Sequence, residues 1–397
     1  MKEKKQCLYC NRPKPEEEFS EEHVLPQAIG GNLEPTNPFK TNDVCRNCNS
    51  TCGLFVDTGF IKSWFTSVAR VQDGMRHVKF SQEMLFPFQY MGTIEELSYD
   101  GKICEFWIGP TGDSVFHFHD EYPAVEDMPI IVGPAPNVRR HIDFGFAFIF
   151  VVPSNPVWWR PILRSFAVQF RGTTLYFANG NTPEGGLFSE IPKELLGLRE
   201  QLKAATERSI NTRISVTIDA ELRFLGKLGL GLGHLFLKTG FSSSSDAQNL
   251  RDLMWARTRD QRGNAKVRGA GVFGGIDASL KRLLCWEAGH LVCLQLIPEG
   301  IALFTNFYGE QTATLQISTS TEFWREDYPE RGIVFVVVPG LRRFVGPLSI
   351  EDFVSHKIGV AKNAELVALE ESTPGHSDLP PTHLEKDQFC GHADALI

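Results

Sequence analysis

The chain lacks any hydrophobic run long enough to cross a membrane. Its longest purely apolar stretch, Phe144 to Val152, is less than half of the roughly 20 residues that a membrane-spanning helix needs. It also lacks an excess of positive charge, since the formal net charge of the 397 residues is −8. A globally basic nucleic-acid binder is therefore excluded, although a local basic face is not. The first residues contain no apolar segment typical of a secretory signal, so we expect a cytoplasmic protein with no membrane partner.

Cysteines are few and unevenly placed. Five of the nine lie within the first 52 residues, and the others are scattered over the rest of the chain. Because thiols stay reduced inside cells, clustered cysteines favour a metal site over disulfides. We expect the scattered ones to be small buried side chains or tail thiols. These are Cys104, Cys285, Cys293 and Cys390.

The pattern along the chain predicts an α+β protein with three regions. A small N-terminal domain covers residues 1–65, a large mixed α+β region covers 66–365, and an acidic tail that we expect to be disordered covers 366–397. The large region contains a predicted β-meander over residues 291–317. It also contains a predicted helix, Glu221 to Lys238, interrupted by several glycines. Glycine costs about 1 kcal/mol in a helix relative to alanine, so its recurrence indicates close packing of that backbone.

Two Cys-x-x-Cys pairs mark the N-terminal domain. They are Cys7 with Cys10 and Cys45 with Cys48. Each such turn lets both sulfurs point the same way, and two pairs place four thiolates around one tetrahedral ion. The spacing therefore predicts a structural Zn²⁺ site, with Cys52 as a substitute ligand of poorer spacing. A small module of this kind needs such a metal because its core is too small to stabilise it alone.

A second polar set accompanies these cysteines. The chain reads Glu22-His23-x-x-Pro, then Gly30-Gly31, and Asn49 follows directly after the second pair. Carboxylate and amide oxygens suit a hard ion such as Mg²⁺ or Mn²⁺. A neutral histidine beside that ion can take a proton from water. Together these are the parts of metal-assisted phosphodiester hydrolysis.

In this order, the residues resemble the HNH endonuclease superfamily. The resemblance is to its zinc-stapled ββα-metal branch (HNH/His-Me finger), similar to recombination endonuclease VII and McrA-like nucleases, and it covers about residues 5–60. It rests on the four cysteines, the acid–histidine pair, the glycine pair and the final asparagine. Beyond residue 60 there is only a loose similarity to regions that accompany this module, with no known activity.

The resemblance implies a role for each matching residue. His23 matches the general base, Glu22 the carboxylate ligand of the catalytic ion, and Asn49 the last ligand of that ion. The family's middle asparagine, which orients the loop beside the histidine, matches Asn42, with Asn37 as the second choice. The sequence departs from the family pattern in having Glu rather than the commoner Asp before the histidine. Asp57 is either a further carboxylate of the site or a surface residue.

These observations predict a metal-dependent HNH endonuclease that hydrolyses DNA, and by analogy a restriction or phage-defence effector. Two alternatives stay open. One is a non-catalytic zinc ribbon that binds nucleic acid, and the other is a sensor whose C-terminal region binds a ligand and gates the nuclease. A homodimer, an activating small molecule and an activating partner protein are each compatible with the sequence.

Other residues have weaker signals. A glycine-rich basic stretch is the best phosphate-contacting segment outside the N-terminal domain, or else a solvated loop. His117 and His119 alternate on a predicted strand and could bind a metal, but we expect a structural pair, as we do for His290. Trp158 and Trp159 could stack on a base, but we expect them in the core. The basic stretch contains Arg257, Arg259, Arg262, Lys266 and Arg268.

Overall fold

The chain folds into two compact units, each built from two separate segments of the sequence. Unit 1 contains Met1–His77 and Thr217–Ser377, and unit 2 contains Val78–Val216 and Asp378–Ile397. The computed structural model describes residues 4–61, 63, 66, 69–70, 88–109, 111–120, 145–152, 159–180, 188–206, 218–270, 283–287 and 289–373. The helices and strands in these residues confirm the predicted α+β class. In this division the N-terminal region shares unit 1 with residues 217–377, whereas the predicted domains separated the two.

The N-terminal region consists of two small β-hairpins followed by short helices. Strand β1 (Lys4–Gln6) pairs with β2 (Pro13–Pro15), and β3 (Phe19–His23) pairs with β4 (Lys40–Cys45), both antiparallel. Helix α1 (Arg46–Cys52) follows β4 directly, and α2 (Thr58–Ile61) comes after one π-helical turn. The β3–β4–α1 succession is the ββα arrangement that the resemblance implied.

Unit 2 is built on a five-stranded sheet. Its strands, in spatial order, are β5 (Gln89–Thr93), β6 (Ile103–Ile108), β7 (Ser114–His119), β8 (Phe146–Phe150) and β9 (Thr174–Phe177). All pairs are antiparallel except β8 with β9, which run parallel and are joined through helix α3 (Trp159–Gln169). Leucines of helix α4 (Leu196–Thr206) pack with aromatic side chains from one face of this sheet.

Three helices begin the second part of unit 1. They are α5 (Ile218–Phe236), α6 (Ser245–Trp255) and α7 (Arg259–Asn264). Ser244 caps α6 by accepting a hydrogen bond from the Ala247 backbone N–H at 3.1 Å. The glycines of α5 pack as predicted: an added Cβ would lie 2.8 Å from Ile317 at Gly229 and 2.5 Å from Val24 at Gly231.

A six-stranded antiparallel sheet completes unit 1. Its strands, in chain order, are β10 (Gly269–Ala270), β11 (His290–Ile297), β12 (Gly300–Phe307), β13 (Gln311–Ser318), β14 (Gly332–Val338) and β15 (Arg343–Ser349). Their spatial order is β10-β13-β12-β11-β14-β15, so the predicted meander, which forms β11 to β13, is confirmed. Every residue of β14 is buried, because both faces of the sheet are covered. Two helices, α8 (Ile350–Lys357) and α9 (Ala364–Ser372), pack on the second face.

The predicted acidic tail starts inside a helix. Its first residues, from 366 on, belong to α9, in which Leu366 and Leu369 are buried. Residues 374–397 lie outside the described residues. No helix in the described ranges is both long and apolar enough to span a membrane.

The hydrophobic core of unit 1 joins the N-terminal region to the rest of the unit. Phe60 stacks on Phe224 of α5, with ring centroids 4.0 Å apart and planes 3° from parallel. Phe39 meets Phe335 of β14 edge to face at 5.2 Å. The N-terminal region therefore shares one apolar core with the rest of unit 1.

His290 ties this core together in its neutral form. Its Nε2–H donates to the Ile29 carbonyl at 2.7 Å, and its Nδ1 accepts from the Tyr308 backbone N–H at 3.1 Å. A nitrogen that accepts cannot also carry a proton, and burial lowers the pKa of His290 to about 4. The predicted structural role of this histidine agrees with these bonds.

Unit 1 should therefore lose stability on mild acidification. Because the unfolded histidine has a pKa near 6.5, the unfolded state binds more protons than the native state between about pH 6.5 and 4. The contribution of His290 is complete above this window, and about 2 kcal/mol of it should be lost between pH 7 and pH 5. Urea unfolding at both pH values checks this. The same pH difference in His290→Gln should be smaller by that amount, and an unchanged difference would contradict the assignment.

Candidate active site

The four predicted zinc cysteines come together in unit 1. Cys7 and Cys10 lie in the β1–β2 turn, Cys45 ends β4, and Cys48 lies in the first turn of α1. Their sulfur atoms all lie within 4.8 Å of one another, so this donor set fits one tetrahedral zinc ion. The substitute ligand Cys52 lies elsewhere, buried with its sulfur 3.8 Å from that of Met254.

The local electrostatics of this cluster favour a thiolate. A hydrogen bond from Cys48 lowers the pKa of Cys7 to about 4 despite burial, and the Cys45 backbone N–H also donates to the Cys7 sulfur, at 3.3 Å. The hydrogen bond with Cys7 and burial raise the pKa of Cys48, and burial raises the pKa of Cys10, so this effect is confined to Cys7. Zinc binds the thiolate form of cysteine.

His23 ends β3 with its ring fixed from one side. Its Nδ1–H donates to the Gly31 carbonyl at 2.7 Å. This leaves the Nε2 lone pair facing outward, where it accepts from the Gln27 amide at 2.9 Å. The side chain keeps 12% of its surface exposed. An outward Nε2 lone pair on an oriented ring is what a general base requires.

The glycine pair makes this orientation achievable. Gly30 has a φ of +97°, in the region that favours glycine. At Gly31, an added Cβ would lie 1.7 Å from the Leu25 carbonyl oxygen, so any larger residue would displace the loop. The close approach holds the Gly31 carbonyl beside the His23 ring.

Asn37, rather than Asn42, supports this loop. The Asn37 amide donates to the Gly31 carbonyl at 2.6 Å, and its side-chain oxygen accepts from the Phe39 N–H at 3.0 Å. Asn42 is exposed, and its backbone carbonyl accepts from Lys5. The side chain that contacts the loop beside His23 is therefore that of Asn37, the second choice, while Asn42, the first choice, lies apart from it. Spacing along the chain could not distinguish them, because the loop between β3 and β4 brings Asn37 back onto Gly31.

Asn49 joins the His23 strand from α1. Its side-chain nitrogen donates to the Glu21 carbonyl at 2.8 Å and to the Ser20 hydroxyl at 3.1 Å. With the nitrogen engaged, Oδ1 is the atom that could bind a cation. The predicted pairing of Asn49 with the histidine region thus has a structural basis.

Glu22 does not lie beside the His23 ring. Successive residues of a strand point to opposite faces, so Glu22 turns inward while His23 turns outward. Its side chain is 4% exposed, its carboxylate lies 2.8 Å from the Lys227 ammonium, and it accepts from the Tyr9 hydroxyl at 3.0 Å. This geometry corrects its predicted place as a ligand of an ion next to His23.

Lys227 of α5 is the centre of this buried cluster. Besides Glu22, it contacts both carboxylate oxygens of Asp57, at 2.9 and 2.7 Å, and the His23 carbonyl at 3.3 Å. Burial would lower the pKa of Lys227, but the charges of Asp57 and Glu22 raise it above its ordinary value. Burial raises the pKa of Asp57 against the effect of Lys227. Asp57 is thus an interior ion-pair partner, neither a surface residue nor a neighbour of the His23 ring.

Glu21 is the carboxylate that lies beside His23. It precedes the histidine by two residues on the same face of β3, and its Oε1 is 3.2 Å from His23 Nε2 and 2.9 Å from the Lys40 ammonium. The Lys40 contact lowers the pKa of Glu21. Sequence reasoning missed this residue, although the period of two along a strand would have identified it.

Removing the buried cation should destabilise unit 1 strongly. Lys227→Met keeps the length of the side chain but leaves two buried carboxylates without their ammonium partner, which typically costs about 3–5 kcal/mol. Urea unfolding measures this. The matched control is Lys238→Met, two residues beyond the end of α5. The ion-pair partner of Lys238, Glu326, is 93% exposed, so this substitution should lower the free energy of unfolding by less than about 1 kcal/mol. Equal effects of the two substitutions would contradict this account.

The predicted basic stretch follows α6, the helix that packs on the β1–β2 turn. In α6, the Trp255 ring nitrogen donates to the Tyr9 carbonyl at 3.0 Å, and Arg251 donates to the Leu8 carbonyl at 2.7 Å. After this helix, Arg257, Lys266 and Arg268 are exposed and Arg262 is half-buried. The side chains of Arg259 and of Trp158 and Trp159 lie outside the described residues.

Comparisons with known proteins bear on the N-terminal region alone. Residues 7–65 match the family model of the HNH endonucleases, which confirms the resemblance over the N-terminal region. The match includes all four zinc cysteines, His23 and Asn49. Searches of curated proteins and of solved structures return no match for the chain. The N-terminal region is an HNH endonuclease domain by this match, while residues 66–397 lie outside it.

Proposed function

We propose, from the HNH endonuclease domain in residues 7–65, that this protein is a metal-dependent endonuclease that hydrolyses DNA phosphodiester bonds. The observation that carries the proposal is the orientation of His23. Its Nδ1 is fixed by the Gly31 carbonyl, and its Nε2 lone pair faces the accessible side of β3.

Each residue of the site has its own role in the proposed reaction. His23 Nε2 accepts the proton of the water that attacks the phosphorus atom, while the bond from phosphorus to the 3′ oxygen breaks and that oxygen leaves as a hydroxyl after taking a proton from solvent. Asn37 and the glycine pair hold the ring in position. Glu21 and Asn49 offer the hard oxygen atoms that would hold Mg²⁺ or Mn²⁺. Such an ion, when bound, stabilises negative charge that develops on the phosphate.

DNA would be held partly by the basic stretch. The HNH domain has no excess of Lys and Arg over Asp and Glu, so affinity for phosphates must come from other residues. Arg257, Lys266 and Arg268 belong to unit 1 and are exposed. A role in restriction or phage defence is an analogy with other proteins that carry this domain.

Cleavage of supercoiled plasmid with Mg²⁺ or Mn²⁺ tests the proposal and the choice between the two glutamates. Glu21→Gln should reduce nicking at least tenfold with unchanged unfolding free energy, because it removes a charged oxygen at the surface. Glu22→Gln should instead lower the unfolding free energy, because it weakens the contact with buried Lys227. Cleavage that survives Glu21→Gln but not Glu22→Gln in folded protein would restore Glu22 as the ligand.

A further inference from the structure

Unit 2 brings three metal-binding side chains together on one sheet face. Glu105 of β6 is the cross-strand partner of His117 of β7, and His119 lies two residues further along β7. The period of two places both histidines on the face that Glu105 occupies. The side chains of Glu105, His117 and His119 are 9%, 3% and 1% exposed, respectively. The sequence showed only the two histidines, because their acidic partner lies on a different strand.

The distances in this cluster match those between ligands of a single ion. His119 Nε2 lies 3.4 Å from Glu105 Oε1, and His117 Nδ1 lies 3.7 Å from Glu105 Oε2. Bonds of about 2.0–2.2 Å at a tetrahedral zinc place two ligand atoms roughly 3.3 Å apart. All three ligand atoms lie within 4.8 Å of one another.

Each of the three side chains also has a second polar neighbour outside the cluster. His119 Nδ1 lies 2.7 Å from the Asp120 carbonyl, and His117 Nε2 lies 3.4 Å from the Thr173 hydroxyl. The Trp107 ring N–H donates to Glu105 Oε2 at 3.1 Å. Metal-binding histidines commonly donate their second ring nitrogen to a carbonyl or similar group in this way.

These contacts determine which nitrogen faces the carboxylate. A carbonyl oxygen only accepts, so His119 Nδ1 carries the proton in its 2.7 Å contact. In the neutral ring, the Nε2 lone pair then faces Glu105 Oε1. A divalent cation placed between these two atoms would bind both of them.

We propose that Glu105, His117 and His119 form a second metal site, for a divalent transition ion of the Zn²⁺ class. Two imidazoles and one carboxylate are a ligand set that zinc takes readily. The site differs from the cysteine cluster in its ligands and lies in a different unit. A bound ion would link β6 to β7, and the site takes no part in the proposed nuclease reaction.

Metal stoichiometry of the full chain tests this site. The protein is saturated with Zn²⁺, dialysed against metal-free buffer and analysed by mass spectrometry of its metals. We expect two zinc ions per chain in the wild type, and one in both Glu105→Gln and His119→Ala. His356→Ala is the matched control, because His356 is also buried beside a single carboxylate, Glu370 at 3.1 Å, and should keep both ions.

Absorption spectroscopy of the Co²⁺-substituted wild type tests the site even if a variant fails to fold. Co²⁺ replaces Zn²⁺ in the wild type, and the first equivalent should bring intense thiolate-to-metal absorption from the cysteine cluster. A second equivalent should bind with d–d bands and no further thiolate absorption. One bound ion at saturation, or a second ion retained by Glu105→Gln and His119→Ala alike, would overturn the proposal, and the three residues would then be an ion-paired cluster.

Discussion

His23→Ala should abolish plasmid cleavage while the domain stays folded and keeps its zinc. A positioned general base typically contributes about 10²–10⁴-fold to the rate, so nicking should fall by that factor. The substitution removes the hydrogen bond to the Gly31 carbonyl but leaves the Asn37 amide on the same oxygen, so the loop keeps one anchor. The measurement is the initial rate of nicking with Mg²⁺ or Mn²⁺, beside zinc content and urea unfolding of the same samples.

Asn42→Ala is the control for that experiment. Asn42 is exposed and contributes its backbone carbonyl, not its side chain, to the contact with Lys5. It should cleave at the wild-type rate, whereas Asn37→Ala should be slower because the Gly31 carbonyl loses its second partner. Wild-type nicking by His23→Ala would sink the assignment of the base. Stoichiometric zinc lost from that variant would show that His23 belongs to the zinc site instead.

Cys7→Ser should release zinc and unfold the N-terminal region. Structural zinc contributes on the order of 10 kcal/mol to such sites, which is comparable with the whole stability of a typical domain. Cys7 is fully buried and its sulfur accepts from the Cys45 N–H, so no nearby group can replace the lost ligand without moving that backbone. Zinc content, circular dichroism and urea unfolding measure the result.

Cys52→Ala is the matched cysteine control. Cys52 is equally buried but lies against Met254, outside the four-sulfur cluster. It should keep its zinc and lose only the small packing contribution of one sulfur atom. If Cys52→Ala lost the ion and Cys7→Ser kept it, the ligand assignment would be reversed. Because unit 1 shares one core, Cys7→Ser should also expose Phe60 and Phe224, which stack on each other.

Features that depend only on neighbouring residues could be predicted from the sequence. The Cys-x-x-Cys pairs, the histidine and the glycine pair each depend on a local turn, and local turns are set by neighbouring residue types. For the same reason, the strands of the meander and the glycine-rich helix α5 agree with their predicted places. The helical packing at Gly229 and Gly231 follows from the cost of glycine in a helix.

Contacts between distant segments could not be read in this way. Lys227 lies 205 residues from Glu22 along the chain, yet their charges are 2.8 Å apart and turn Glu22 away from the site. Glu105 joins His117 only through the pairing of β6 with β7, and His290 reaches Ile29 through the packing of the sheet.

The sequence by itself predicted the four clustered cysteines, the candidate base and the resemblance to the HNH endonucleases. Tertiary structure decided which carboxylate lies beside that histidine, which asparagine supports the loop, and that the HNH domain shares its core with residues 224–337. The physical reason is that side-chain type and spacing fix what a residue can do. The burial and charge of partners brought from elsewhere fix which way its side chain points.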